Sequence, residues 1–203
     1  MNSTAGKISP EYQARLDSRR ANLREMLAPL LQKKEPFVWE VGCGHGHFLT
    51  GYAAAHPNER CIGIDIARDR VARAERKRAR AGLANLHFIH ADAADFLKGL
   101  PKNAEIASIF VLFPDPWPKR RHEHNRLVQA EFLTEAGTWC RPGTRLYLRT
   151  DYEPYHRSAL AAVAAHPAWR PMADAPWPFE LQTVFQAKAP SFHSLVAESV
   201  RAA

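Results

Sequence analysis

The sequence has few cysteines and no long apolar run, and each shortage excludes a class of protein. Its 203 residues include three cysteines, Cys43, Cys61 and Cys140, which lie far apart and lack the paired spacing of zinc sites and disulfide frameworks. No run approaches the roughly 18 to 20 apolar residues that span a bilayer, and residues 1–7 lack the apolar centre of a secretory signal. We therefore expect reduced cysteines, no membrane partner and a cytoplasmic protein.

Acidic residues are also in deficit. The chain has 28 lysines and arginines against 21 aspartates and glutamates, with a formal charge of +7 and a pI near 9.6. Such a balance favours a polyanionic partner through long-range attraction and counterion release, which points to nucleic acid. The length and a hydrophobic content of 46% are sufficient for one sizeable core, and no internal repeat divides the chain.

The N-terminal segment predicts one amphipathic helix over residues 11–34. Apolar side chains recur at roughly helical spacing, at Tyr12, Leu16, Leu23, Leu27 and Leu30. Arginines lie between them, and Pro29 is a candidate bend. Two interpretations are open: a packing helix with a solvated charged side, or an arm that faces RNA. We divide the chain accordingly into this basic helix, residues 1–34, and a main domain, residues 35–203.

From residue 37 onward, short apolar runs alternate with helical patterns. Strands are predicted over residues 37–41, 60–66, 86–90, 106–112, 145–150 and 192–199, the last as an edge strand. Helices are predicted over residues 46–55, 67–81, 94–100, 124–139 and 155–165. Residues 141–143 predict a turn. The alternation is typical of βαβ units, so we expect an α/β fold around a mostly parallel sheet.

The most informative stretch follows the fourth strand. Residues 113–122 read Phe-Pro-Asp-Pro-Trp-Pro-Lys-Arg-Arg-His. The stretch joins a lone carboxylate, Asp115, and a flat ring, Trp117, to a cationic cluster at the carboxyl end of a strand, where open α/β sheets bind ligands. Its prolines keep the loop out of helical geometry. We interpret Trp117 either as a platform for a base or as a loop aromatic packed into the core.

A glycine-rich turn follows the first strand. Gly42, Gly44 and Gly46 have Gly-x-Gly-x-Gly spacing, which differs from the Gly-x-Gly-x-x-Gly of dinucleotide sites and makes a nicotinamide cofactor a remote alternative. Glu40, just before the turn, suits a cationic or hydroxyl-rich ligand better than a phosphate. S-adenosylmethionine carries a sulfonium and an amino group and is a ligand of this kind.

Two further acids follow strands. Asp65 ends the second strand, where a carboxylate can accept bonds from both ribose hydroxyls, and Asp92 follows the third, where it can meet an adenine amino group. Both also suit the plainer role of capping a helix. With Glu40 and the glycine turn, they resemble the class I S-adenosylmethionine-dependent methyltransferases. That resemblance implies a Rossmann-like, mostly parallel seven-stranded sheet with helices on both faces.

Two motifs narrow the resemblance to the bacterial tRNA (guanine-N7)-methyltransferase family, over residues 37–185. They are the string Pro-Asp-Pro-Trp-x-Lys-x-x-His and the segment Thr-Asp-Tyr-Glu-Pro-Tyr at residues 150–155. The resemblance implies methylation of N7 of a variable-loop guanine in tRNA. It also implies that Glu40, Asp65, Asp92 and Asp115 contact the cofactor S-adenosylmethionine, that Asp115 is catalytic, and that Lys119 and Asp151 touch substrate. To the cofactor site we add Gly42, Gly44 and Gly46.

The chemistry is consistent with these assignments. Guanine N7 carries an in-plane lone pair, so methyl transfer needs alignment of the reacting atoms rather than a strong base. Asp115 then either accepts hydrogen bonds from the guanine N–H groups or stabilises the purine as it becomes cationic. Trp117 is the candidate base platform.

The cations that follow the loop predict a rim that grips phosphates. This basic rim comprises Lys119, Arg120, Arg121, His122, His124 and Arg126. A second basic patch on the helix over 67–81 is more simply an exposed face, with Asp69 and Arg73 spaced for an i,i+4 pair. His122 and His124 lack a suitable third ligand, so we expect no metal.

One segment departs from the family pattern. The family carries Thr-x-Phe-Glu followed by an arginine-glycine segment, whereas this chain has Thr183 and then the neutral Gln186. We predict that both contact substrate, although an amide presents a donor as well as an acceptor. The departure leaves two alternatives open: a divergent protein that binds tRNA and cofactor with weak or altered activity, and a methyltransferase for another RNA or a small molecule. A monomer and a homodimer are equally compatible with the sequence.

Overall fold

The predicted apolar runs pair into a single sheet in the computed structural model, which describes residues 9–32, 35–181, 189 and 191–200. The strands are β1 (Phe37–Val41), β2 (Arg60–Asp65), β3 (Leu86–His90), β4 (Ile106–Leu112), β5 (Cys140–Thr150), β6 (Trp169–Pro171) and β7 (His193–Ser199). Their order is β3-β2-β1-β4-β5-β7-β6. The first five strands pair with one another in parallel, whereas β7 runs antiparallel to both β5 and β6. The expected seven-stranded, mostly parallel sheet is confirmed.

The helices cover both faces of this sheet. They are α1 (Pro10–Leu30), α2 (His47–Ala55), α3 (Arg68–Ala81), α4 (Ala93–Gly99), α5 (Ala130–Gly137) and α6 (Glu153–Ala165). Successive strand residues point to opposite faces, so Trp39 joins the core beneath α1, α4, α5 and α6 while Val38 joins the core beneath α2 and α3. Tyr147 and Leu148 of β5 divide in the same way. The two apolar layers fix the strands that carry the site.

The N-terminal helix packs against the main domain. Leu23 and Leu27 are buried in the larger core, and Arg20 Nε lies 3.0 Å from Oδ1 of the buried Asp95 on α4. Tyr12, at the start of the predicted apolar stripe, is 54% exposed. The helix ends at Leu30, one residue after Pro29, rather than continuing to residue 34. The observed packing agrees with the first of the two interpretations of this helix.

The helix predicted over 124–139 is shorter in the structure. A 3₁₀ helix (Arg120–Asn125) comes first, residues 126–129 are not helical, and the α-helix α5 spans only Ala130–Gly137. The reason is tertiary: the Val128 N–H donates to the Tyr155 hydroxyl oxygen at 3.0 Å rather than to a carbonyl of its own segment. Neighbouring side chains therefore bind the backbone groups that a continuous helix would use.

The carboxyl-terminal part of the sheet also differs from prediction. β5 starts at Cys140, so the predicted turn over 141–143 lies inside the strand, beside a register shift against β4. β7 is not an edge strand, because β6 pairs on its outer side. All three cysteines are free, as expected. In the described ranges no helix is both long and apolar enough to cross a membrane.

Candidate active site

The carboxyl ends of the parallel strands gather the acids predicted from sequence. Glu40 lies in β1 beside Gly63 of β2 and Phe110 of β4, and Asp65 is the last residue of β2. Asp92, Asp115 and Asp151 follow β3, β4 and β5. Because parallel strands end at a common edge, these acids line one edge of the sheet.

Glu40 is the most unusual of these acids. It is 3% exposed, and burial raises the pKa of its carboxyl to about 8. The Leu49 N–H hydrogen-bonds to the carboxyl group, but atom Oε2 is buried without a partner among the described residues. A buried carboxyl oxygen without a donor is costly. The geometry therefore provides an acceptor that a cationic or N–H-bearing ligand would satisfy.

The glycine turn leaves open space beside Glu40. Gly42, Gly44 and Gly46 all have left-handed backbone, with φ of 76°, 53° and 67°. A Cβ atom built on either of the first two meets nothing within 4 Å, so ligand atoms can approach the backbone there. A Cβ on Gly46 would lie 2.5 Å from Phe88 Cζ, so this glycine is required for packing at the start of α2.

Asp65 closes the same turn. Its Oδ2 accepts from the Gly44 N–H at 2.9 Å and its Oδ1 accepts from the Ala67 N–H at 2.8 Å. Each carboxylate oxygen has capacity for a further hydrogen bond, so the predicted contact with ribose hydroxyls stays compatible with the geometry and stays a prediction. Ile66, the next residue, is 71% exposed and places an apolar side chain beside the acid. The sequence reasoning did not single out Ile66.

Asp92 caps a helix. Its Oδ1 accepts from the Asp95 N–H at 2.8 Å at the start of α4, and its Oδ2 lies 3.7 Å from Arg19 of α1. The capping role weighed from sequence is thus present. The side chain remains 42% exposed, so the adenine contact stays a prediction.

The loop after β4 contains two residues in strained backbone. Phe113 and Trp117 have φ of 50° and 45°, which bulky side chains rarely adopt. Asp115 between them is exposed. Trp117 is half-buried, belongs to neither apolar core, and meets the His122 ring edge-on at 5.9 Å. The alternative that it packs into the core is therefore wrong.

The structure separates the residues of the basic rim. Lys119, Arg120, Arg121 and His124 are exposed and His122 is half-buried, so these five are accessible. Arg126 is not: its side chain is 3% exposed. Its guanidinium donates to the Pro116 carbonyl at 3.1 Å and to Ser158 Oγ at 3.2 Å, so the predicted position of Arg126 on the rim is wrong.

The predicted ion pair of the second basic patch does not form either. The described residues of α3 contain no Asp69–Arg73 pair. The ion pairs of this helix are Arg78 with Glu75 at 2.9 Å and Arg70 Nη1 with Asp65 Oδ2 at 4.0 Å. Nor do the described residues hold a group of three or more histidines, cysteines or acids placed to bind a metal ion.

The segment after β5 places Asp151 at the same edge. Thr150 is buried, and its hydroxyl oxygen accepts from the Tyr152 N–H at 3.2 Å. Asp151 itself is exposed, and α6 begins two residues later, at Glu153. Thr183 and Gln186, the other predicted substrate contacts, lie outside the described residues.

Sequence reasoning missed a buried arginine beside this segment. Arg149 is enclosed by Trp177, whose ring centroid lies 3.8 Å from the guanidinium carbon, and Phe192, at 4.8 Å. Its Nη1 donates to Glu180 Oε2 at 2.8 Å and its Nη2 to Oε1 at 2.5 Å, and this pairing lowers the pKa of Glu180. The pair joins Glu180, in the segment that follows β6, to β5. The signal in the sequence that could have identified this residue is the presence of an arginine within an apolar strand.

The chain is similar to known methyltransferases. A family model described as "Putative methyltransferase" matches residues 34–188. A tRNA (guanine-N(7)-)-methyltransferase of Roseobacter denitrificans is 36% identical over 172 residues, which are 82% of this chain and 73% of that protein. The chain belongs to the tRNA (guanine-N7)-methyltransferase family. A second relative of the same name, from Hydrogenovibrio crunogenus, is 30% identical over 162 residues, 79% of this chain and 65% of that protein.

Most of these family members are longer than this chain. It spans between 42% and 65% of the length of seven of the curated relatives that it matches. The fold is also shared with a solved rRNA methylase from Streptococcus thermophilus, at a TM-score of 0.57 and 15% identity, covering 97% of this chain and 100% of that one. The sheet is thus that of a Rossmann-like class I methyltransferase.

The buried carboxyl of this family member predicts an unusual pH dependence of stability. Because folding raises the pKa of Glu40 from 4.5 to about 8, the carboxyl group loses its proton at a lower pH in the unfolded chain than in the folded chain. Glu40 therefore lowers the free energy of unfolding as pH rises between those values, by up to about 1.4 kcal/mol per pH unit. The free energy of unfolding of Glu40→Gln, measured in urea, should therefore rise relative to that of the wild type as the pH is raised from 5 to 8. Exposed Glu131→Gln is the control, and a gain independent of pH would contradict the prediction.

The glycine turn predicts two unequal substitutions. Gly44→Ala and Gly46→Ala each force alanine into left-handed backbone, at about 1 to 2 kcal/mol. Only the second adds a clash with Phe88 and Ala74, worth a further 1 to 3 kcal/mol or so. Urea unfolding of the two variants should therefore rank Gly46→Ala as clearly less stable. Equal losses would show that the contact with Phe88 relaxes at no cost.

Proposed function

We propose that this chain transfers a methyl group from S-adenosylmethionine to N7 of a guanine in the variable loop of tRNA. The carrying observation is the placement of the Pro-Asp-Pro-Trp loop at the carboxyl end of β4, beside the open glycine turn of β1. Membership of a family whose relatives bear this activity in their names supports it. We further propose that the protein works in the cytoplasm.

The residues at the edge fit this cofactor. The unpartnered Oε2 of Glu40 suits its amino group, the open space at Gly42 and Gly44 admits it beside the backbone, and Asp65 and Asp92 remain candidates for its ribose and adenine. When bound, it supplies an electrophilic methyl group on a sulfonium. The protein contributes position: binding energy from the edge is used to align the reacting atoms.

The loop after β4 would bind the substrate. Exposed Asp115 can accept hydrogen bonds from guanine N–H groups or stabilise the purine as it gains positive charge, and Trp117 offers a partly exposed ring for stacking. Lys119, Arg120 and His122 would contact phosphates. Asp151, at the end of the adjacent strand, would face the same substrate, together with Thr183 and Gln186.

One sequence feature supports a second candidate function. Gln186 replaces the acid of the family pattern, so a divergent protein that binds tRNA with weak or altered methylation remains the alternative. Efficient turnover by the wild-type protein would remove that alternative.

The decisive experiment follows the methyl group. Unmodified tRNA is incubated with protein and S-adenosylmethionine, and nucleosides are identified by mass spectrometry. The wild type should produce 7-methylguanosine, and Asp115→Asn should lose about 100-fold or more in kcat/KM, because it removes a charge aimed at the reacting purine. Asp17→Asn on α1, an exposed position outside the site, is the matched control. A different methylated nucleoside would refute the proposed function, and equal rates for the wild type and Asp115→Asn would refute the role of Asp115.

A further inference from the structure

The backbone around Trp117 is held from one side by a single buried cation. The Nε of Arg126 donates to the Pro116 carbonyl at 3.1 Å, and its Nη2 donates to the Trp117 carbonyl at 3.4 Å. These carbonyls belong to the two peptide groups that Trp117 joins. Holding both of them fixes the backbone torsion angles of Trp117, whose φ is left-handed. A bulky residue in that region costs about 1 to 3 kcal/mol and persists only where its surroundings enforce it.

Arg126 is itself fixed by the helix that follows β5. Its Nη1 donates to Ser158 Oγ at 3.2 Å, and its guanidinium carbon lies 5.7 Å and 5.6 Å from the ring centroids of Tyr152 and Tyr155. Tyr152 directly follows Asp151. One planar cation therefore spans the loop that carries Asp115 and the helix start next to Asp151, using donors whose directions are rigidly related.

We propose that Arg126 is a positioning residue for the substrate loop. Its guanidinium holds the strained backbone of Pro116 and Trp117 against α6, and so sets the spacing between Asp115 and Asp151. The catalytic consequence of this role rests on the proposed function. The structural role, in which Arg126 holds the loop, is independent of the proposed function.

A positioning role and a phosphate contact predict different kinetics. A residue that binds tRNA phosphate lowers affinity when removed and reduces the salt dependence of binding by about one counterion. A residue that holds the loop leaves affinity and salt dependence nearly unchanged, but misplaces the reacting groups and lowers kcat. With its side chain 3% exposed, Arg126 has the burial that the second pattern requires.

The test uses Arg126→Met and Arg126→Lys in the full chain, with exposed Arg157→Met on α6 as the control. We expect kcat to fall by about tenfold or more in Arg126→Met, since small displacements of reacting groups have large effects on rate. The KM for tRNA and its salt dependence should change by less than about twofold. Arg126→Lys, which keeps the charge and loses the planar fork, should be intermediate.

Limited trypsin digestion provides a readout that needs neither tRNA nor methylation. The exposed bonds after Lys119, Arg120 and Arg121 follow the held segment, so a released loop should be cut there faster, while cutting elsewhere is unchanged. In a Trp117→Gly background, glycine adopts left-handed backbone without strain. Arg126→Lys should therefore accelerate cutting less in that background than in the wild type.

Three outcomes would overturn the proposal. A raised KM for tRNA with a reduced salt slope and unchanged kcat would make Arg126 a phosphate contact. A lower melting temperature with unchanged kcat and unchanged loop cutting would make it a packing residue. If the wild type does not methylate tRNA, the proposed function fails, and the digestion alone decides: faster cutting in Arg126→Lys supports the loop-holding role, and unchanged cutting refutes it.

Discussion

The site depends on one constraint: five neighbouring strands run parallel and end at the same edge of the sheet. This arrangement brings together residues that are far apart in the chain, such as Glu40 and Asp151. Apolar side chains alternate between two cores on either face, so the strands cannot shift register without exposing one of them. The loops at the edge therefore start from fixed points. The conformation of each loop between those points depends on its own residues and their contacts.

Those local conformations cost stability. Glu40 has a buried oxygen without a partner among the described residues, and Phe113 and Trp117 have left-handed backbone. Each feature costs on the order of 1 to 3 kcal/mol. The apolar layers beneath the edge offset these costs. A ligand that provides a donor to Glu40 would recover part of the cost, so the binding of such a ligand would raise folding stability.

How well the sequence predicts this molecule depends on where each element obtains its interactions. β3 and β4 have the predicted bounds, because a short apolar run between two layers is a local signal. β6 was missed, since three residues ending in Pro171 become a strand only by pairing with the distant β7. The helix predicted over 124–139 is shortened to Ala130–Gly137 for the same reason, since Val128 bonds to the distant Tyr155. The acids at the strand ends were found because parallel topology places them, whereas the role of Arg126 depends on acceptors from other elements.

The two buried arginines show why net charge is an incomplete guide to an RNA-binding surface. Arg126 and Arg149 count toward the formal charge of +7, yet the first is bound by carbonyls and tyrosine rings and the second is enclosed by Trp177 and Glu180. Neither presents its charge to a phosphate. The cations directly after the Pro-Asp-Pro-Trp loop, by contrast, are exposed, so under the proposed function they are the ones available to a phosphate. Neighbouring cations of one sequence run thus differ in exposure according to whether each finds acceptors inside the protein, and the two roles proposed for them, attracting a polyanion and positioning the substrate loop, follow that difference.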